Sequence, residues 1–386
     1  MPVKASGHAI VLGDRDLGAP LHAAGIPVTV VCAPDSPNRF SRYFRASLTD
    51  PRPDEDAMVD TLLEDARASP GPVVVYYQSD DDLLFVSRRR KELASRLRFV
   101  IADADLVESL VNKTAFNDLA RRLGLPVPST EVVDLSAGAP ESRHLSLPAL
   151  VKPSRREDAW SATFAAKALL VETPTDAEAL VDPTFPFRDH VLVQQYIPGP
   201  ETLIESYHSY IDPTGAVAAE FTGRKLRTFP IALGHSSAVV TTDTADVASL
   251  GRSILQTLGV RGVAKVDFKR DPEGRLWLLE VNPRFTLWHR VGAAAGVNIP
   301  ALVWADLVGR PRPPIRQARA GVGWCRVELD WQAMRESGTG VLDWLRWVAR
   351  CETKAGVDPS DPVFLATKAL SMARSAAHRV LASGRR

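Results

Sequence analysis

The sequence predicts an α/β protein that opens on a doubly wound sheet. Three observations predict it. The chain has 386 residues, enough for two or three domains and a large buried core. Its first 32 residues read strand, glycine turn, helix, strand, the opening of a doubly wound unit. Residues 262–283 read as a β-hairpin with Asp first, Pro second and Gly last in the turn Asp271-Pro-Glu-Gly274, which suits a type I turn.

Taken in order, His8-Ala-Ile-Val-Leu12 is a short apolar strand, followed by Gly13-Asp-Arg-Asp-Leu-Gly18, a helical stretch through Ala24, and a second strand Val28–Cys32. The glycines fit GxxxxG and not GxGxxG, and Cys32-Ala-Pro-Asp35 stands where an acidic residue would end the second strand. This reads as a sheet without a dinucleotide site. Further strands are expected at Val73–Tyr77 and Arg98–Ile101, and Arg88-Arg-Arg-Lys91 is a solvated helical face. One amphipathic helix is expected from Leu106 to Leu123, stopped by Gly124 and Pro126. After a loop at 134–147, strands are expected at Ala149–Val151, Ala168–Glu172 and Val191–Ile197, with a helix at Thr175–Val181. Strands follow at 202–211 and 216–229, then a helix at 245–258, the hairpin, and a Trp-bearing tail ending in a basic helix.

Composition excludes several classes. Hydrophobic residues make up 45% and charged residues 24%, the balance of a globular protein. The net charge of +1 argues against a general nucleic-acid binder. Cys32, Cys325 and Cys351 form no CxxC pair or disulfide framework, which fits a reducing cytoplasm. There is no leader pattern, and the weakly polar stretch Val291–Gly309 is broken by Asn298, Pro300 and Asp306, a poor membrane span. Only ten of the 47 basic residues are lysine. Arginine fills the basic surface, so each lysine is weighted toward a role of its own as a compact ammonium on a flexible stem.

The hairpin carries the chemistry. Its turn places Asp267 opposite Leu278, with Glu280 as diagonal neighbour and Lys265 opposite Glu280. Period-two alternation puts Lys265, Asp267, Glu280 and Asn282 on one face, together with Leu276 and Leu278. Ala264, Val266, Phe268, Trp277, Leu279 and Val281 share the other, buried face. Two carboxylates and an amide form an oxygen-rich site for a hard cation such as Mg²⁺. Pro283-Arg284 brings a guanidinium beside them.

Val266-Asp-Phe-Lys-Arg-Asp and Leu279-Glu-Val-Asn-Pro-Arg284 together resemble the metal-binding hairpin of the ATP-grasp superfamily. Other segments follow in the expected order across residues 8 to 310. Asn112-Lys113 resembles the first nucleotide-contacting lysine and Leu150-Val-Lys-Pro-Ser154 the second, Lys152. Val193-Gln-Gln-Tyr-Ile-Pro-Gly199 resembles the hinge strand that reads adenine, which implicates Gln194, Gln195, Tyr196 and Ile197. Glu201 falls where such enzymes hold the ribose hydroxyls. Phe221-Thr-Gly-Arg-Lys-Leu-Arg227 resembles the basic strand of the superfamily's amino-acid ligases. The resemblance implies an N-terminal doubly wound pre-ATP-grasp domain (1–105) and a two-lobed ATP-grasp domain (106–310, with lobes at about 106–195 and 196–310). A partly helical C-terminal extension covers 311–386. The segment Ser154-Arg-Arg-Glu-Asp-Ala-Trp-Ser-Ala-Thr163 departs from the pattern, lacking the glycines of the usual phosphate loop.

What the resemblance implies is a cytoplasmic, ATP-dependent carboxylate–amine ligase working through an acyl phosphate. ATP and two Mg²⁺, or Mn²⁺, are the expected cofactors, with Asp267, Glu280 and Asn282 as metal ligands. Lys225 and Arg227, two apart on a strand, are expected on one face toward the γ-phosphate and acyl phosphate, with Arg284 on the transferring phosphoryl group. Gly234-His-Ser-Ser237 is expected at the substrate end, where His235 is either a proton acceptor or a loop residue. The rival readings are another ATP-grasp chemistry with a non-amine acceptor, and a nucleotide-binding scaffold without turnover. Expected partners are small carboxylates and amines of the amino-acid kind, with a homodimer also considered. The tail carries Lys368, Arg374, Arg379, Arg385 and Arg386 beside Phe364, Leu365, Leu370, Met372, Val380 and Leu381. It is read as packing on the body or a second subunit, with an anionic membrane surface as the alternative.

Overall fold

The computed structural model describes residues 7–134, 147–153, 160, 163, 164, 166–182, 185, 187 and 191–383. The chain begins β1 (His8–Leu12), α1 (Arg15–Ala23), β2 (Val28–Cys32), β3 (Ala46–Thr49), α2 (Glu55–Ala68), β4 (Val73–Tyr77), α3 (Asp80–Arg88), α4 (Arg90–Leu93) and β5 (Leu97–Arg98). These strands form a parallel sheet in the order β3-β2-β1-β4-β5. β1, β2 and β4 are buried along their whole length, so each reads as an unbroken apolar run. β3 was not expected: it is an edge strand, partly exposed, with too few apolar residues to show a period. The strand order reverses between β1 and β4, where such sheets bind ligands. Here the Gln78 side chain fills that turn. Its Oε1 accepts from the Asp14 N–H at 2.9 Å, and a Cβ on Gly13 would lie 2.4 Å from it.

The single helix expected at 106–123 is two, α5 (Ala104–Val111) and α6 (Lys113–Arg122). Asn112 breaks the run by turning extended (φ −82°, ψ 113°), and its side chain accepts from the N–H groups of Thr114 and Ala115. Asparagine is a strong N-cap, so Lys113 stands in the first turn of a fresh helix.

A small antiparallel sheet follows, from β6 (Thr130–Val133), β7 (Ala149–Pro153), β8 (Leu169–Val171), α7 (Pro174–Val181) and β9 (Val191–Gln195), in the order β6-β9-β7-β8. Residues 154–159, 161 and 162 of the glycine-free segment lie outside the described residues. Trp160 packs under the sheet with Val151 and Val193.

The large sheet begins after a single 3₁₀ turn (Glu201–Leu203) with β10 (Ile204–Ile211), β11 (Val217–Phe229) and β12 (His235–Thr242). Then come α8 (Ala245–Thr257), β13 (Gly262–Arg270), β14 (Leu276–Asn282), α9 (Trp288–Ala294), α10 (Ile299–Val308), β15 (Gly323–Arg326), α11 (Val327–Ser337), α12 (Val341–Arg350), β16 (Thr353–Ala355) and α13 (Pro362–Ser383). Its order is β14-β13-β10-β11-β12-β15-β16. α8 covers one face with Ile254 and Leu255 over Tyr207, Phe268 and Leu278. Gly251 permits that approach, since a Cβ there would lie 2.5 Å from the Tyr207 ring. α9, α10 and the N-terminal sheet cover part of the opposite face through Trp288, Trp304 and Tyr76. The remainder of that face looks toward the small sheet.

Two features of the tail were not expected. β15 and β16, beyond residue 310, complete the large sheet. They are four and three residues long, too short for a period to register. The start of α13 rests on the body. Phe364 lies under the Arg15 guanidinium at 3.8 Å, and Lys368 pairs with Glu328. Leu370 and Met372 are exposed. The side chains of residues 374–386, including Arg374, Arg379, Val380, Leu381, Arg385 and Arg386, lie outside the described residues. Among the described residues no single helix is long and apolar enough to cross a membrane.

Candidate active site

The small antiparallel sheet and the large, mainly antiparallel sheet face each other across a cleft of about 120 Å³. One wall comes from β7 and β9. Leu150 pairs with Gln194 and Lys152 with Leu192, so Leu150, Lys152 and Gln194 share a face. Lys152 Nζ donates to Gln194 Oε1 at 2.7 Å, and Gln194 Nε2 donates to Thr130 Oγ1 at 2.9 Å. Lys113 Nζ reaches the Pro153 carbonyl at 3.3 Å, bringing both expected lysines to the end of β7. Burial and then Lys113 push Lys152 down to about 8, against Glu280 and Glu201. An ammonium costs more in a confined, cationic place. Tyr196 and Ile197 continue this wall past β9, with the Tyr196 N–H donating to the Pro148 carbonyl at 3.3 Å. Gln195 and Glu201 also line it, and Lys269 stands 3.9 Å from Glu201 and 5.0 Å from the Tyr196 ring centre.

The hairpin β13–β14 forms the floor, in a register different from the expected one. Asp267 lies directly opposite Glu280, and Lys265 opposite Asn282 instead of Glu280. A bulge inserts Leu279, so Phe268 pairs with Leu278. The extra residue reverses the alternation on its far side. Leu276 and Leu278 therefore enter the core with Phe268, while Leu279, expected in the core, lines the cleft beside Glu280.

Asp267 is buried, accepts from the Ser206 hydroxyl, and pairs with Lys265 Nζ at 2.6 Å. Glu280 opens onto the cleft. Crowding by protein pushes its carboxyl up, but Lys167 and Lys265 outweigh this and hold it well below the usual range. Asp267, Glu280 and Asn282 supply hard oxygen donors, the set that suits Mg²⁺ when phosphate oxygens complete the shell. Lys265 pairs with Asp267, and Lys167 lines the same cleft as both carboxylates.

Lys225, on β11, lines the cleft; Arg227 does not. β11 carries a register shift between them, so two-residue spacing no longer means one face. Arg227 turns instead to the fully buried Asp330, donating at 2.8 and 2.7 Å. Arg284 is likewise engaged elsewhere. It donates to Asp80 Oδ1 at 2.6 Å and to the Gln78 carbonyl at 2.8 Å, tying the hairpin's end to the N-terminal sheet. His235 is the exposed first residue of β12, opposite Phe229. Gly234 beside it lines the cleft.

Three lysines here had no expected role. Lys167 lines the cleft, and burial together with Lys225 lowers it to about 8. Its N–H donates to the carbonyl of Leu233 at 3.2 Å. Leu233 has φ 59°, costly for a non-glycine residue, at the cleft's edge. Lys265 and Lys269 are the others. The signal was the scarcity of lysine: six of the ten stand in or beside this cleft.

Comparison with known proteins agrees with this geometry. Residues 187–327 match the family described as ATP-grasp in the biosynthetic pathway with Ter operon. The chain is 21% identical over 288 residues to D-aspartate ligase of Enterococcus faecium (strain Aus0004), covering 71% of this chain and 68% of that one. It is 28% identical over 238 residues to D-alanine--D-alanine ligase of Stutzerimonas stutzeri (strain A1501), covering 54% and 66%. The chain thus spans about two thirds of the length of each. Among solved structures, an ADP complex of N5-carboxyaminoimidazole ribonucleotide synthetase superimposes with TM-score 0.64 at 13% identity, covering 87% of this chain and 86% of that one. An L-amino acid ligase from Bacillus licheniformis gives 0.61 at 17%, covering 83% and 79%. Residues 187–327 thus match an ATP-grasp family, and the sequence relatives of the chain are named as D-aspartate ligase and D-alanine--D-alanine ligase.

Proposed function

We propose that this enzyme joins a substrate carboxylate to an amine of the amino-acid class through an acyl phosphate. One observation carries the reading: Lys113 and Lys152 from one side and Lys225, Asp267 and Glu280 from the other converge on one cleft. A polyphosphate between two sheets needs cations around its oxygens and carboxylates for its metals, and this cleft offers both. The names of relatives that join D-aspartate, D-alanine or L-amino acids support the substrate class.

In this reading the Gln194–Ile197 strand holds adenine and Glu201 the ribose hydroxyls. Lys113 and Lys152 hold the α- and β-phosphates, and Lys225 and Lys167 face the γ-phosphate. Mg²⁺ held by Asp267, Glu280 and Asn282 would neutralise the phosphate charge that builds up during transfer. A carboxylate oxygen attacks the γ-phosphorus, and the bond to ADP breaks. The amine then attacks the acyl carbon, phosphate departs with the electron pair of the carbon–oxygen bond, and the nitrogen loses a proton. The protein's share is placement and charge. Arg227 and Arg284 hold sheet and hairpin in position by their ion pairs instead of touching phosphate.

Hydroxylamine trapping tests this. With ATP, Mg²⁺ and a panel of amino-acid carboxylates, hydroxylamine should intercept the acyl phosphate as a hydroxamate, with one ADP released per hydroxamate. ATP binding with no ADP release under any carboxylate would favour a scaffold role.

A further inference from the structure

The final helix, α13, turns its polar side to the body and its apolar side to solvent. It starts against the 3₁₀ turn Pro37–Phe40. Phe364 lies under the Arg15 guanidinium there, and Lys368 reaches Glu328 and the Gly356 carbonyl. Thr367 and Ser371 share that inner, half-buried side. Outward stand Val363, Ala366, Ala369, Leu370 and Ala373, all exposed, with Met372 at the flank. Val363 is 56% exposed, Leu370 60% and Met372 53%. This is the reverse of an ordinary surface helix. A contiguous apolar face left in water marks an interaction surface.

The spacing decides the occupant. Val363, Ala366, Leu370 and Ala373 alternate three and four apart, the seam of a helix that packs along another helix. The sequence of α13, which runs to Ser383, continues the spacing at Ala377 and Val380. Three alanines and no aromatic residue stand on the outward face, whereas helices lying in a lipid interface present Trp, Phe and Leu. The seam also complements itself. In an antiparallel pair centred between Ser371 and Met372, Leu370 of each copy lies opposite Ala373 of the other, large against small. The same register sets Ala366 opposite Ala377 and Val363 opposite Val380. Charge fixes the direction. From Pro362 onward the chain has no acidic residue, so a parallel pair would align Lys368, Arg374 and Arg379 with their own copies. An antiparallel pair sets the two Arg379 positions about 22 Å apart along the axis and opposes the helix dipoles. We propose that α13 docks antiparallel on α13 of a second copy of this chain, through the seam Val363, Ala366, Leu370 and Ala373.

Sedimentation equilibrium on the full-length protein tests this. Wild type should be a reversible dimer. Leu370→Glu and Ala373→Glu each put a charge into the seam and should weaken dimerisation at least about tenfold. Both residues are exposed, so the circular dichroism spectrum should stay that of wild type. A monomeric wild type, or a dimer equally tight in both variants, overturns the proposal. Cross-linking reads the direction, since the native cysteines Cys32, Cys325 and Cys351 are buried. A short bis-maleimide should join copies of Leu370→Cys, whose two sites lie about 5 Å apart along the axis, and not copies of Val363→Cys, about 25 Å apart. Equal cross-linking at both sites would make the pair parallel and the proposal wrong. Co-sedimentation with phosphatidylglycerol vesicles supplies the remaining arm. A monomeric wild type that binds them, with binding lost in Leu370→Glu, would make this face a lipid contact and remove the pairing.

Discussion

Lys152 and Lys167 are both lowered to about 8, each by burial and by a neighbouring lysine. The sign of the pH effect follows. Below pH 8 both ammoniums are charged and attract phosphate; above it the free enzyme loses that charge. Bound phosphate favours the protonated form and raises both lysines again. ATP binding at pH 9 should therefore take up as many as about two protons, and near pH 7 almost none. Titration calorimetry in buffers of different ionisation enthalpy measures this, and uptake independent of pH would remove both lysines from the phosphates. Asp267→Asn and Glu280→Gln each discard a charge facing the cleft without removing packing. ADP release should fall at least about 100-fold, the scale of losing one electrostatic contact to a reacting group; Glu280→Gln should leave the melting temperature little changed, whereas Asp267→Asn takes the charge partner from the buried Lys265 and should lower it. Near wild-type turnover in both would take the hairpin out of the reaction.

Among the elements, α11 is fastened to the large sheet by one carboxylate. Asp330 is fully buried and accepts from Arg227, the Ser237 hydroxyl and Trp344 Nε1. Asp330→Ala leaves the Arg227 charge without its partner and should cost about 3–5 kcal/mol in denaturant unfolding. A loss under about 1 kcal/mol would mean that water replaces the carboxylate easily. This pair also shows where reading the sequence stopped. Strands with continuous burial or strict alternation, β1, β4, β9 and β13, lie close to where their patterns placed them. The cleft residues Lys113, Lys152, Gln194 and Glu201 came with them, because local spacing carries each to a strand end or helix start. Arg227 and the Leu276–Leu279 stretch were misplaced by single-residue irregularities in β11 and β14. A bulge changes which face a side chain takes, but it leaves no mark in a run of alternating residues. Lys167 and Asp330 depend on partners 58 and 103 residues away, Lys225 and Arg227. No local pattern reports on that distance.

At the level of the whole molecule, the C-terminal extension is structural. β15 pairs with β12 at Ala238–Val240, and β16 then pairs with β15. Ending the chain at residue 320 would leave β12 as an open edge and uncover Ala238 and Val239, which are fully buried. Exposed strand edges recruit other chains, so the truncated protein should be insoluble or aggregated by light scattering. A soluble, monomeric product would show that the large sheet closes without those strands. The same arrangement bears on how the protein is made. β12 ends at Thr242 and its neighbour begins at Gly323, so 80 positions (243–322) are translated between them. At roughly 5–20 residues per second, a growing chain displays a bare, apolar strand for about 4–16 s before its own partner is synthesised. Synthesis speed through α8 to α10 therefore sets how long each nascent molecule remains open to its neighbours on a polysome.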